Sequence, residues 1–266
     1  MKNKLIFQIA ISLLLARWKP TLVEAIGVTF SITMFVTLLS FMTGLNDLLD
    51  GLLLNRTAHV RLFKELSISK NQPTDLYYKN SKGHNFIRSI KPKNERLDIS
   101  NSGAIISTLQ KDARVLGVAP KITAQVFYNV GSIDLTGVIN GIDPLEENRL
   151  FKFNDYVKAG NFLDLKNIPN SVILGKGLAE KMMVTIGDVV QVTTSKGERL
   201  SLKVVGFFQS GLQDIDKVQS YASIKTTQKL LGASANYITD IQIKLKDILG
   251  APAAAKEFES FYEVDA

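Results

Sequence analysis

An α+β domain carried behind one membrane-spanning helix is the architecture this sequence predicts, and three observations lead to it. Residues 25–46 hold no charged side chain, residues 57–245 alternate period-2 apolar runs with short helical patterns, and the 266-residue chain has no cysteine and only two histidines. The first sets the anchor, the second the fold class, and the third excludes whole groups of chemistry.

The span comes first. The 22 residues of AIGVTFSITMFVTLLSFMTGLN, at 1.5 Å each, give roughly 33 Å, enough to cross a hydrocarbon core. Gly27, Gly44 and several Ser and Thr suit a membrane helix that packs against others. Before it, Lys2 and Lys4 precede an apolar run over residues 5–16, the outline of a signal peptide. Leu14 stands where a cleavage site wants a small residue, and Arg17 and Lys19 follow at once. Gln8, Ser12 and Lys19 form one narrow polar stripe, so an interfacial helix over residues 1–24 fits better, broken from the span by Pro20. Residues 1–24 carry a net +3, whereas the far flank opens with Asp47 and Asp50. The bias puts the N-terminus in the cytoplasm and residues 47–266 outside, where the absence of cysteine means no disulfides.

In the exported part, DLLDGLLL continues the helix and residues 57–63 alternate as a first strand. Residues 64–96 carry a net +5 among Asn, Ser, Pro and Gly and read as a basic, solvated loop. Ser100 or Ser102 is positioned to cap a helix whose apolar positions Ile105, Ile106, Leu109 and Val115 recur at helical spacing and which ends before Pro120. Period-2 strands follow at residues 122–130 and 133–139, then a turn at residues 141–144 and a polar helix or loop through Asn148. A strand at residues 172–174 leads through a glycine turn into a helix at residues 178–183. Ser195, Lys196, Gly197 and Glu198 form a hairpin turn between two strands. Strands at residues 218–224 and 238–245, a helix at residues 225–231 and another opening near Ala253 complete the pattern.

Little in the sequence supports catalysis. Gly175-Lys176-Gly177 lacks the spacing of a phosphate-binding loop and reads as a strand-to-helix turn. Ser67 and Lys70 match a hydrolase spacing by chance, in a loop without supporting motif. His59 alternates with Val60 and Leu62 as a structural or solvent-facing strand residue, and His84 is too far along the chain to join it in a metal site. Glu146 with Glu147, and Asp214 with Asp216, fall in turn-like segments that need no active site. Basic residues without regular aromatic interleaving argue against nucleic acid.

The string VILGKGLAEKMMVTIGDVVQVTTSKGERLSLKVVGFFQSGLQDIDKVQSYASIKTTQKLL, residues 172–231, resembles the periplasmic domain of bacterial ABC-transporter permeases of the lipoprotein-releasing (LolC/LolE) group, within the wider MacB/FtsX-like superfamily. TAHVRLF at residues 57–63 and VLGVAPKI at residues 115–122 agree with it. The resemblance implies a porter-like βαβ subdomain at about residues 57–128 and 212–266, enclosing a β-rich, sabre-like insertion at about residues 129–211. It implies four spans with the exported domain between the first two, and the sequence stops at YEVDA inside that domain. It also implies a mechanotransmitting permease rather than an enzyme, without cofactor of its own, in the bacterial inner membrane. ATP and Mg would be bound by a cytoplasmic ABC ATPase, and the other partners would be a second permease subunit, a lipoprotein cargo, a periplasmic chaperone and membrane lipid, with no nucleic acid. A MacB-type peptide or drug exporter and an FtsX-like scaffold regulating a cell-wall hydrolase are the alternatives. On this view Phe30, Met34, Leu38, Phe41, Met42 and Leu45, within one helical face of the span, line the path of the cargo's acyl chains.

Overall fold

The computed structural model describes residues 2–53, 57–65, 77, 97–131, 133–262 and 264. Most of the basic stretch at residues 64–96, with Ser67, Lys70 and His84, lies outside the described residues. The chain divides into two compact units, Met1–Leu53 and Leu54–Ala266.

The first unit is helical: α1 (Lys2–Ala16) and α2 (Trp18–Leu53). The break falls at Arg17, not at Pro20 as the sequence suggested. Pro20 sits in the first turn of α2, where an amide has no intrahelical acceptor to lose and a fixed φ costs nothing. At 36 residues α2 is about 54 Å long, more than a bilayer core requires. Several of its hydroxyls bond to the carbonyl one turn back: Ser31 donates to Gly27 at 2.9 Å, Thr33 to Thr29 at 2.7 Å and Thr37 to Thr33 at 2.7 Å.

The second unit is α+β. In chain order its elements are β1 (Val60–Phe63), α3 (Ser102–Leu109), β2 (Val115–Val130), β3 (Ile133–Ile142), α4 (Pro144–Phe151), a 3-10 turn (Phe153–Tyr156), β4 (Val157–Gly160), α5 (Asp164–Asn167), β5 (Ser171–Gly175) and α6 (Lys176–Met182). There follow β6 (Val189–Thr194), β7 (Arg199–Phe208), α7 (Gln213–Asp216), β8 (Gln219–Ser223), α8 (Ile224–Leu230), β9 (Asp240–Leu245), a second 3-10 turn (Ile248–Gly250) and α9 (Ala251–Tyr262).

Six strands close on themselves. β2 pairs with β3, β3 with β8, β8 with β5, β5 with β7, β7 with β6, and β6 returns to β2. The result is a small barrel, parallel at β3–β8 and β5–β7 and antiparallel elsewhere, filled by Val126, Tyr128, Ile139, Val172, Leu174, Val192, Leu202 and Val204. Closure leaves no sheet edge along the ring. β2 is the shared strand. Its second half lies in the barrel, while its first half carries β9 and then β1 as an antiparallel extension. Over that extension α3 and α9 supply Ile105, Leu109, Ala254 and Phe258 to a second core with Val60, Leu62, Val118, Ile122, Ile241 and Ile243.

These cores exchange between Ile122 and Val126 and again between Leu230 and Ile238. The boundaries expected from the resemblance, at residues 128/129 and 211/212, fall within β2 and ahead of α7, β8 and α8; Ala222 and Leu230 from the latter two pack with the barrel.

Local readings changed in four places. Val115 begins β2 rather than ending a helix, and the strand runs through Pro120, which pairs on its β9 side with Ile241 before pairing with β3 starts at Lys121. Asn101, in the left-handed region, precedes α3 without a side-chain cap, and Ser102 is buried, donating to the Asn236 carbonyl at 2.9 Å. The expected turn at residues 141–144 is the end of β3 followed by a capped helix: Asp143 accepts from the Leu145 amide at 2.9 Å and Pro144 occupies the first helical position. Asp214 and Asp216 belong to the one-turn helix α7. The readings of the β5-to-α6 turn, of the β6–β7 hairpin and of His59 hold. Gly175 is the extended residue before α6, and His59 Nδ1 accepts from the Leu245 amide at 3.1 Å.

Candidate functional site

Two regions carry the features of a site, one in each unit. On α2, steps of about 100° per residue bring Phe30, Met34, Leu38, Phe41, Met42 and Leu45 within an arc of about 120°. All six are exposed, from 38% at Leu45 to 68% at Phe30. An apolar helix with uncovered side chains finds its favourable environment in lipid or against other apolar helices. Val36 lies opposite the arc, about 180° from its centre.

The second region is in the second unit, and it was not among the sites expected from the sequence. α4 lies across the first half of β2 at Gly117, where a Cβ would come within 2.6 Å of Leu150. Lys244 on β9 holds the end of the helix, its Nζ donating to the Leu150 carbonyl at 2.7 Å. Glu147, Leu150 and Phe151 share the inward face by i+3 and i+4 steps, so α4 turns a carboxylate toward the protein along with two apolar side chains. Glu147 is 6% exposed, and among the described residues neither its Oε2 nor the buried Oε1 of Gln242 on β9 has a hydrogen-bond partner.

Both acceptors line a cavity of about 300 Å³ with Lys121 of β2. Its apolar walls are Phe151, Phe153, Tyr156, Phe208 and Tyr221. The rings support one another, with centroids 4.4 Å apart for Phe153 and Tyr221 and 5.0 Å for Phe208 and Tyr221, the latter edge to face. Burial pushes the Glu147 carboxyl up to about 7, against the pull of Lys121 and with a further push from Asp143. Burial lowers the Lys121 ammonium, opposed by Glu147 and Asp240 and assisted by Arg61. Lys121 Nζ stands 6.0 Å from the Tyr221 ring centroid. The sequence signal was faint: one acid on the apolar stripe of a short helix, beside a second acid, Glu146, which turns outward and pairs with Arg149.

Among the described residues no group of three or more His, Cys, Asp or Glu side chains is arranged to hold a metal ion. Asp216 is committed to the Ser210 turn.

Residues 21–261 match the family model described as the MacB-like periplasmic core domain. The chain belongs to that family. This MacB-like chain is 27% identical over 244 residues to the lipoprotein-releasing system transmembrane protein LolC of Neisseria meningitidis serogroup B, covering 88% of the chain and 51% of that protein. It is 28% identical over 152 residues to LolC of Xylella fastidiosa, covering 54% of the chain and 36% of the relative. It therefore spans about half the length, or less, of these relatives. Among solved structures, the periplasmic region of MacB from Actinobacillus actinomycetemcomitans aligns with a TM-score of 0.48 at 15% identity, covering 81% of the MacB-like chain and 87% of its own. The extracellular domain of the transporter YknZ from Gram-positive bacteria aligns with a TM-score of 0.48 at 14% identity, covering 77% and 96%.

Proposed function

We propose that this chain is part of a permease subunit of a bacterial ABC transporter that releases lipoproteins from the inner membrane. The observation that carries the reading is the family match over residues 21–261, which takes in α2 as well as the exported domain, joined by relatives named as lipoprotein-releasing transmembrane proteins. In this reading the N-terminus is cytoplasmic, α1 lies at the membrane interface, α2 spans, and the second unit is periplasmic as a porter-like part with a sabre-like insertion.

The chain acts as a mechanotransmitter. A cytoplasmic ATPase binds ATP and Mg, its closure draws two permease subunits together, and the exported domains move cargo toward a periplasmic chaperone. Helix α2 suits the task because residues 25–46 carry no charge and the hydroxyls of Ser31, Thr33, Thr37 and Thr43 are bonded to carbonyls of the helix itself. Phe30, Met34, Leu38, Phe41, Met42 and Leu45 meet the acyl chains of the cargo, Met conforming to irregular chains and Phe offering flat contact.

Photocrosslinking amino acids at Met34 and Phe41, with Val36 as the opposite-face control, test this in the complete transporter. Capture of lipoprotein from positions 34 and 41 and not from 36 is expected. Capture from 36 alone would assign the path to the other face, and capture from none of them would remove the lipoprotein reading. A single charge at Met34 should block release while assembly with the ATPase persists, since a charge at mid-membrane costs about 2.5–3.5 kcal/mol.

A further inference from the structure

The aromatic cavity between α4, β8 and β9 holds polar groups in an arrangement that the fold does not need. Beside its rings the cavity presents Lys121, Glu147 and Gln242, with Thr57, Ser210 and Gln219 also in its lining. Two oxygens, Glu147 Oε2 and Gln242 Oε1, are buried without a donor among the described residues. An unsatisfied buried acceptor is costly, and two beside the same cavity call for a group that brings several N–H donors. Lys121 lines the same cavity with its Nζ 6.0 Å from the Tyr221 ring centroid, and no Lys121–Glu147 ion pair forms among the described residues, so its ammonium offers a separate site for a negative group. The five rings leave an apolar compartment beside Lys121, Glu147 and Gln242.

A ligand matching all of this has an ammonium, a carboxylate and one apolar arm. We propose that the cavity binds a free α-amino acid with a large apolar side chain, its ammonium on Glu147 and Gln242, its carboxylate toward Lys121, and its side chain among Phe151, Phe153, Tyr156, Phe208 and Tyr221. A volume of about 300 Å³ lies at the small end of ligand cavities and suits one such molecule. A simple amine is disfavoured by the Lys121 charge, and a simple acid leaves both orphaned acceptors unmet. The site is independent of the transport reading, because its residues all lie in the second unit and its ligand is not a lipid.

The arrangement couples binding to protons. Below about 7 the empty site carries a neutral Glu147, which must ionise to hold an ammonium, so affinity falls as pH drops beneath that point. The groups acting on Glu147 are Lys121 from β2 and Asp143 from the start of α4, while Asp240 from β9 and Arg61 from β1 act on Lys121. Tyr221 from β8 has its phenol pushed up by burial and by the Glu147, Tyr156 and Asp216 charges, and remains neutral throughout.

Calorimetric titration of the full chain in detergent with L-phenylalanine at pH 7.5 tests the proposal. Saturable binding is expected, with 3-phenylpropionate, phenethylamine and the dipeptide Phe-Ala each weaker by about tenfold or more, the factor that loss of one charge-assisted contact brings. Glu147→Gln and Lys121→Met should each weaken phenylalanine binding by a similar factor, with circular dichroism verifying that both variants fold. Lowering the pH from 7.5 to 5.5 should weaken binding to the parent chain and not to Glu147→Gln. Absence of binding up to about 10 mM, equal binding of the three analogues, or unaltered binding to a folded Glu147→Gln chain would overturn the assignment.

Discussion

Asp216 accepts two hydrogen bonds from Ser210, one from its backbone amide and one from its Oγ, each at 2.7 Å. Asp216 is buried at 7% exposure, and this pair ties the end of β7 to α7 across the Gly211 turn, where φ is 91°. Asp216→Ala leaves the Ser210 amide without its partner. It should destabilise the domain by about 2–3 kcal/mol, while Ser210→Ala, which keeps the amide bond, should cost about 1 kcal/mol. Urea unfolding of the full chain in detergent, followed by near-ultraviolet circular dichroism, compares the two; equal losses would refute the dominance of the backbone bond.

The two glycines of Gly175-Lys176-Gly177 should differ in tolerance. A Cβ on Gly175 would lie 2.2 Å from the Asp216 carbonyl oxygen, which is backbone, whereas one on Gly177 meets the flexible Lys217 side chain at 2.8 Å. Gly175→Ala is therefore expected to cost about 2–3 kcal/mol and Gly177→Ala under about 1 kcal/mol, by the same unfolding measurement. A phosphate-binding role would instead make both substitutions harmful to ligand binding with little effect on stability.

Glu147 gives the domain a pH-dependent loss of stability. The carboxyl titrates at about 7 when folded, against an ordinary value of 4.5, so between these values the folded chain holds a proton that the unfolded chain has released. Stability from this group accordingly falls as pH rises through that window, by about 3 kcal/mol in all. Lys121, lowered by burial, acts in the opposite sense on the alkaline side, toward 10.5. Glu147→Gln should raise stability at pH 8 and flatten the profile between pH 5 and 7. Unfolding midpoints for both chains across that range decide it, and parallel profiles would show that Glu147 is not the titrating group.

The proposed orientation makes residue 12 cytoplasmic and residue 195 periplasmic. With no native cysteine, single Ser12→Cys and Ser195→Cys variants report each side without background. Both positions are exposed, the latter in the β6–β7 turn. In intact spheroplasts a membrane-impermeant maleimide should label position 195 and spare position 12. The reverse pattern would invert the topology.

Features with local causes are legible along the chain. An uncharged run of 22 residues makes α2 apolar whatever surrounds it. Ser195 to Glu198, with Gly197 at φ 86°, brings β6 and β7 together because the residues that pair are close in the chain. The β5-to-α6 turn was legible for the same reason. Other features arise only where distant segments meet. Barrel closure depends on Tyr128 meeting Val192 on one side and on Ser220, whose Oγ shares a short hydrogen bond with the Tyr128 hydroxyl, and neither contact leaves a mark in the residues beside Tyr128. The short β4 forms only because β7 is there to pair with it. The Glu146–Glu147 pair looks uniform as sequence, yet one acid reaches Arg149 while the other is enclosed with Lys121, Tyr221 and Gln242. Period and turn chemistry act over a few residues and survive in any context. Desolvation of a carboxylate depends on which distant strands arrive around it, and that is fixed only when the chain has folded.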